Sequence, residues 1–161
     1  MISSALFVTP YPRNAKVIME ASHLPPLGLA YTAAFLESKE ITCWIIDANL
    51  LQLSVENVMD KIKEYNPDLV GVSFNIATIK EAILIAAASK QLGKRVIMGG
   101  PSSKGELKGI LEKSSADCIV CGEGEIVTWN LVHSDFDLAN VKGIAYLKNG
   151  TVVHTPEEEK I

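Results

Sequence analysis

"RVIMGG", Arg95–Gly100, is a short apolar run that ends on two adjacent glycines. A continuous, β-branched run of this length is the pattern of a parallel strand covered on both faces. Four other runs share the form: "ALFVT" (Ala5–Thr9), "CWIIDA" (Cys43–Ala48), "LVGVSF" (Leu69–Phe74) and "CIVCG" (Cys118–Gly122). Helical patterns lie between them. "LGLAYTAAFLESK" puts Leu29, Ala33 and Leu36 on one face, and "SVENVMDKIKEYN" does the same with Val55, Val58, Ile62 and Tyr65, behind Ser54 as N-cap. "IKEAILIAAASKQLG" is Ala-rich and apolar enough to be well buried, and Gly93 closes it. "KGELKGILEKSS" and "EIVTWNLVHS" complete the set. Strand and helix alternation predicts βαβ units with right-handed crossovers, an α/β flavodoxin-like (Rossmann-like) three-layer sandwich around a five-stranded parallel sheet.

The tail differs. "VKGIAYLKNGTVVHT" is two strands around Asn149-Gly150, the signal of a type I′ hairpin. The expected division is therefore residues 1–140 as the α/β domain, 141–155 as a C-terminal β-hairpin and 156–161 as a linker or cut end. Neither an internal repeat nor a low-complexity segment is present.

Bulk composition narrows the function. The chain has 161 residues, nearly half of them apolar, and a net charge of -4 with no basic cluster, which argues against a nucleic-acid partner. No run of apolar residues is long enough to span a membrane. The N-terminus lacks the basic start of a signal peptide. Three cysteines, Cys43, Cys118 and Cys121, point to a reducing cytoplasm.

The five strands start at residues 5, 43, 69, 95 and 118, so the steps are 38, 26, 26 and 23. The first step carries about a dozen residues beyond a compact βα unit. That extra stretch, "PYPRNAKVIMEASHLPP" (Pro10–Pro26), leaves the carboxyl end of strand one, the edge at which open α/β sheets bind ligands. In a 2-1-3-4-5 order the residues offered at that edge are Thr9, Pro10 and Tyr11; then Ser73, Phe74, Asn75 and Thr78; then Gly99, Gly100, Pro101 and Ser102; then Gly122, Glu123 and Gly124. The set is small, hydroxylated and nearly uncharged. Strand one is followed by "PYPRNAK" in place of a glycine-rich phosphate turn, which argues against a dinucleotide or FMN phosphate site. Ser73 and Thr9 end the strands on which a receiver domain needs acids. A large, flat, mostly uncharged ligand bordered by amides fits this edge, with Gly99-Gly100 as a floor without side chains. Pro101 already turns the chain, so the second glycine is expected to serve close ligand approach. Thr78 is placed to cap the following helix, Asp47 to bond backbone in its loop, and Glu125 to favour the last helix dipole. Trp44 and Trp129 read as core, His133 and His154 as surface.

Together "PPLGLAYTAAFLES", "IIDAN", "PDLVGVSFNIAT", "VIMGGPSS", "DCIVCGEGE" and "VKGIAYLKNGTVV" resemble the N-terminal cobalamin-binding domain of B12-dependent radical SAM proteins, over nearly the whole chain. The resemblance implies a cobalamin held at the carboxyl edge, facing a radical SAM barrel in cis. The barrel would bring S-adenosylmethionine and a 4Fe–4S cluster, and the cobalt would serve methyl transfer. The barrel's CxxxCxxC motif is absent here, and the charged end suggests a domain cut from a longer protein. Cys118 and Cys121, three apart on a strand, should point to opposite faces and share no metal. Many cobalamin domains carry Asp-x-His-x-x-Gly after strand one, whose histidine ligates cobalt. In this chain His23 stands between Ala21 and Pro26, lacking the carboxylate that orients such a ligand, so it is a poor cobalt ligand and a base-off cofactor is expected. Two other readings of the same residues are a cofactor-free docking module of the same fold and a stand-alone corrinoid carrier.

Overall fold

A computed structural model of the chain describes residues 2–13, 25–101 and 106–158. The elements alternate as the sequence predicts: β1 (Ser4–Thr9), α1 (Leu27–Glu37), β2 (Thr42–Asp47), α2 (Val55–Tyr65), β3 (Leu69–Ser73), α3 (Ile79–Gln91), β4 (Arg95–Gly99), α4 (Leu107–Ser114), β5 (Cys118–Val120), α5 (Gly124–His133), β6 (Ile144–Lys148) and β7 (Thr151–His154). They form one sheet of order β2-β1-β3-β4-β5-β6-β7. The first five strands are parallel, and β6 and β7 join antiparallel. The flavodoxin-like expectation holds, and the hairpin extends the sheet by pairing Ile119 with Ala145 and Val120 with Ile144. Asn149 and Gly150 both have positive φ, 52° and 75°, as a type I′ turn requires.

Helices cover both faces. α2, α3 and α4 pack Val58, Ile62, Ile85 and Leu111 against Leu6, Val8, Val70 and Met98. On the other face α1 and α5 pack Leu36 and Leu131 against Ala5, Phe7, Leu69 and Ile97. This alternation along each strand follows from the pleat. Cys118 belongs to the α1/α5 core and Cys121 packs against the opposite one, so the two thiols do lie on opposite faces. Trp44 and Trp129 are partly buried against the cores, while His133 and His154 are exposed.

Local signals are realised one by one. Ser54 caps α2 through a reciprocal box with Asn57: Asn57 N donates to Ser54 Oγ at 3.2 Å and Ser54 N to Asn57 Oδ1 at 3.3 Å. Gly93 follows α3 at φ 76°. Leu50 N donates to Asp47 Oδ1 at 2.9 Å. Thr78 differs from expectation. It occupies the N-cap position of α3 but makes no cap hydrogen bond; its Oγ1 accepts from Asn75 N at 3.1 Å instead, tying the β3–α3 loop to itself.

Two carboxylates organise the amino end of the sheet. Asp68 accepts from Ser3 N at 2.8 Å, Ser3 Oγ at 2.9 Å and Ser4 N at 3.1 Å, joining the starts of β1 and β3. Asp117 accepts from Val96 N at 2.7 Å, Lys90 Nζ at 3.0 Å and Arg95 Nη1 at 3.3 Å, joining β4, α3 and the turn before β5.

Candidate cofactor-binding site

At the carboxyl end the sheet and the α1/α5 layer part to leave a groove of about 270 Å³. Its floor is made by strand residues on the α1/α5 face: Phe7 of β1, Gly71 and Ser73 of β3, Ile97 and Gly99 of β4, and Val120 of β5. Gly28 and Thr32 of α1 and Gly124 and Thr128 of α5 form the opposite wall. Among the described residues no charged side chain lines it. The uncapped N-termini of both helices open at its mouth.

Glycine shapes the groove in different ways. A Cβ on Gly71 would sit 2.4 Å from the Phe7 ring, so Gly71 is the space in which that ring lies. A Cβ on Gly124 would approach Thr32 Oγ1 to 2.7 Å, so Gly124 lets α1 and α5 meet. Gly99 is freer: its Cβ would find Val120 at an ordinary 3.5 Å, and the rest of its surface is groove. Gly100 corrects the sequence-based reading. It has φ 140°, and a Cβ there would lie 2.2 Å from the Phe74 carbonyl oxygen, so the backbone itself demands glycine at this turn.

Of the residues expected at the edge, Ser73, Gly99, Gly100, Pro101, Gly122 and Gly124 line the groove. The others stand around it. Phe74 buries its side chain in the α2/α3/α4 core and offers the edge only backbone, with its N–H donated to Gly99 O at 2.8 Å. Pro10 is buried, and Tyr11 packs against the same core, which places its ring on its own fold. Thr9 Oγ1 is buried with no hydrogen-bond partner among the described residues. Asn75 and Thr78 hold the β3–α3 loop. Glu123 is exposed at the N-cap of α5, and Glu125 lies in that helix's first turn, as its dipole favours. Ser102 and His23 lie outside the described residues. The sequence reading missed the α1 and α5 wall and the Phe7–Gly71 floor. The signal for them was Gly71 inside strand β3 and the Gly and Thr four residues apart on both helices.

The thiols are not poised for chemistry. Burial pushes the Cys43 thiol up to about 11, with Glu37 adding to it. Burial also raises Cys118, helped by the neighbouring Asp117 and Cys121, and raises Cys121. All three are therefore neutral near pH 7, when the thiolate is the form that ligates or attacks. Among the described residues no cluster of His, Cys, Asp and Glu could hold a metal ion, and no helix is long and apolar enough to cross a membrane.

A groove of this size at the carboxyl end, floored by glycine and without a charged side chain among the described residues that line it, suits a small, flat, uncharged group. The family model for the B12 binding domain matches residues 17–132, and the chain belongs to that family. It is 30% identical over 162 residues to an uncharacterized methyltransferase of Pyrococcus horikoshii, covering 96% of this chain and 35% of the relative. It is 35% identical over 156 residues to the anaerobic magnesium-protoporphyrin IX monomethyl ester cyclase of Rubrivivax gelatinosus, covering 88% of this chain and 27% of that one. The chain thus spans about a third or less of these relatives. In fold it matches the cobalamin-dependent S-adenosylmethionine radical enzyme OxsB with a TM-score of 0.80 at 18% identity, over 99% of this chain and 23% of that one. The radical S-adenosylmethionine methyltransferase TsrM of Kitasatospora setae matches with a TM-score of 0.77 at 18% identity, over 98% of this chain and 29% of that one.

Proposed function

We propose that this chain holds cobalamin base-off across the carboxyl end of its sheet and presents the cobalt to a radical SAM barrel of the same protein, for methyl transfer. The observation that carries the reading is the groove. Its volume of about 270 Å³ lies just below the usual range of ligand pockets, about 300–1,000 Å³, too small for a corrin but suited to a flat heteroaromatic base. Its uncharged walls suit a neutral benzimidazole. With the base in the groove, the corrin would rest on the loops above it. Ser73, Gly99, Gly100, Pro101, Gly122 and Gly124 line the groove and would hold the cofactor, with Glu123 beside them. Phe7 fixes the depth of the groove, and the Thr32–Gly124 contact fixes its back wall. Bound cobalamin supplies a metal that can carry a methyl group; S-adenosylmethionine and a 4Fe–4S cluster would be held by the barrel. In this reading residues 1–140 carry the site, 141–155 widen the sheet, and 156–161 lead toward the barrel. The methyltransferase relative of Pyrococcus horikoshii supports the reaction class.

A second reading, a stand-alone corrinoid carrier, is favoured by a likeness to a cobalamin-binding protein of Desulfitobacterium hafniense, with a TM-score of 0.56 over 81% of this chain and 58% of that one. An iron–sulfur absorption band in the reconstituted full-length gene product separates the two, since a carrier has none.

The test of cofactor binding is a titration of the purified chain with hydroxocobalamin, followed by desalting and a visible spectrum. Retained cobalamin with a base-off spectrum is expected. No retention, by the chain or by the full-length protein, overturns the reading.

A further inference from the structure

Glu81 is the one acidic side chain buried among the described residues, 7% exposed in the first turn of α3. A buried carboxylate costs stability unless hydrogen bonds hold it. Glu81 is the third residue of its helix, from which a glutamate ordinarily reaches back to the N–H of its own N-cap. Here that N–H is taken, because Thr78 N donates to Asn75 Oδ1 at 3.1 Å. Glu81 turns away from its own helix end, and its Oε1 accepts from Arg13 N at 3.2 Å, 68 residues away in sequence. Arg13 is exposed, so water would serve its amide as well. What the carboxylate adds is a fixed position.

That position spans the crevice. Arg13 stands on the loop that leaves β1, and α3 follows β3. The strand order reverses between these two strands, where open α/β sheets take their ligands. The hydrogen bond therefore ties one rim of the crevice to the other, on the α2/α3/α4 side of the sheet. The residues before Arg13 are seated on the same side: Pro10 and Pro12 are buried, and Tyr11 packs against that core. The groove lies on the opposite face, and neither Glu81 nor any of residues 9–13 lines it. Glu81 thus acts on the site through Arg13 and not by contact with the groove.

We infer that Glu81 is a positioning residue for the cofactor, clamping the start of the loop after β1 to α3 and so keeping clear the seat that the corrin takes above the groove. The inference rests on the cobalamin reading above. A loop left free would have to be ordered as the cofactor binds, and that ordering is lost from the affinity.

The test compares two substitutions by melting temperature, cobalamin affinity and the rate of tryptic cleavage after Arg13. Glu81→Leu keeps the bulk and removes the acceptor. Replacing a buried charge by an apolar group of similar volume is neutral or stabilising, so its melting temperature should not fall. Its cobalamin should bind about tenfold more weakly, and trypsin should cut faster after Arg13. Glu81→Gln keeps an acceptor oxygen and is expected to match the unchanged chain in both. Unchanged affinity in Glu81→Leu overturns the assignment, as does unchanged cutting after Arg13. So does a Glu81→Gln chain as weak in binding as Glu81→Leu, since the acceptor is then not what matters. Should Glu81→Leu melt lower or fail to fold, Arg13→Pro decides, because it deletes the N–H and leaves α3 intact: the same tenfold loss supports the clamp, and full affinity overturns it. If the unchanged chain and the full-length protein retain no cobalamin, the cobalamin reading itself falls, an outcome distinct from all of these.

Discussion

The two ends of the sheet are built by opposite rules. At the amino end the starts of β1, β3, β4 and β5 are tied down by charge: Asp68 gathers Ser3 and Ser4, and Asp117 gathers Lys90, Arg95 and the Val96 amide. At the carboxyl end the strands finish in Gly99, Ser73 and Thr9, leaving a groove, a buried hydroxyl without a partner among the described residues, and an isoleucine in solvent. The amino end satisfies its polar groups internally and so holds the fold. The carboxyl end leaves surface and hydrogen-bonding capacity unused, which makes it the end where a ligand gains most by binding.

The largest effect should come from the amino end. Asp117→Ala strips a mostly buried carboxylate from three donors and should cost about 2–3 kcal/mol in urea unfolding. Cobalamin affinity should stay unchanged while the protein is folded; a loss of affinity would blur the division between the ends. A pair at the carboxyl end sharpens it. Gly100→Ala meets the Phe74 carbonyl at a positive φ and should destabilise by about 1–3 kcal/mol. Gly99→Ala puts its Cβ at an ordinary 3.5 Å from Val120 and should leave the melting temperature nearly unmoved, yet narrow the groove and weaken cobalamin binding at least tenfold, about 1.4 kcal/mol. Equal losses of stability in both would break the distinction between a glycine kept for the backbone and one kept for a ligand. The smallest effect is acid sensitivity. Burial alone would raise the Asp68 carboxyl, but hydrogen bonds from Ser3 and Ser4 outweigh it and hold it below its ordinary value. Its contribution is therefore complete above the unfolded carboxylate range, about 3.9, and is lost as pH falls through the lower folded value. Asp68→Asn should flatten that part of the stability–pH curve and leave ligand binding alone.

Much of this was legible in the sequence where the physics is local. Apolar runs marked the strands, Ser54 and Gly93 marked helix ends, and Asn149-Gly150 marked the hairpin, because each depends on neighbours a few residues away. The edge loops were legible too, since strand ends can be read from the runs themselves. What escaped depends on distant partners. Gly100 is glycine because of Phe74, on another loop. Thr78 turns from its helix to Asn75 because the loop closes on itself. The groove wall needs α1 and α5 side by side, and nothing in either segment announces the other.

The contact of Thr32 with Gly124 also sets when the site can exist. Its two walls come from the first and the last helix of the chain, with β2, β3, β4 and β5 between them in sequence. Pairings of such long sequence separation form late in folding. The groove is thus a record of completed folding, and an occupant acts as a clasp between the first helix and the last. At a hundred times its dissociation constant it would add about 2.7 kcal/mol to the whole structure, and its imprint should be slowed amide exchange in both helices together.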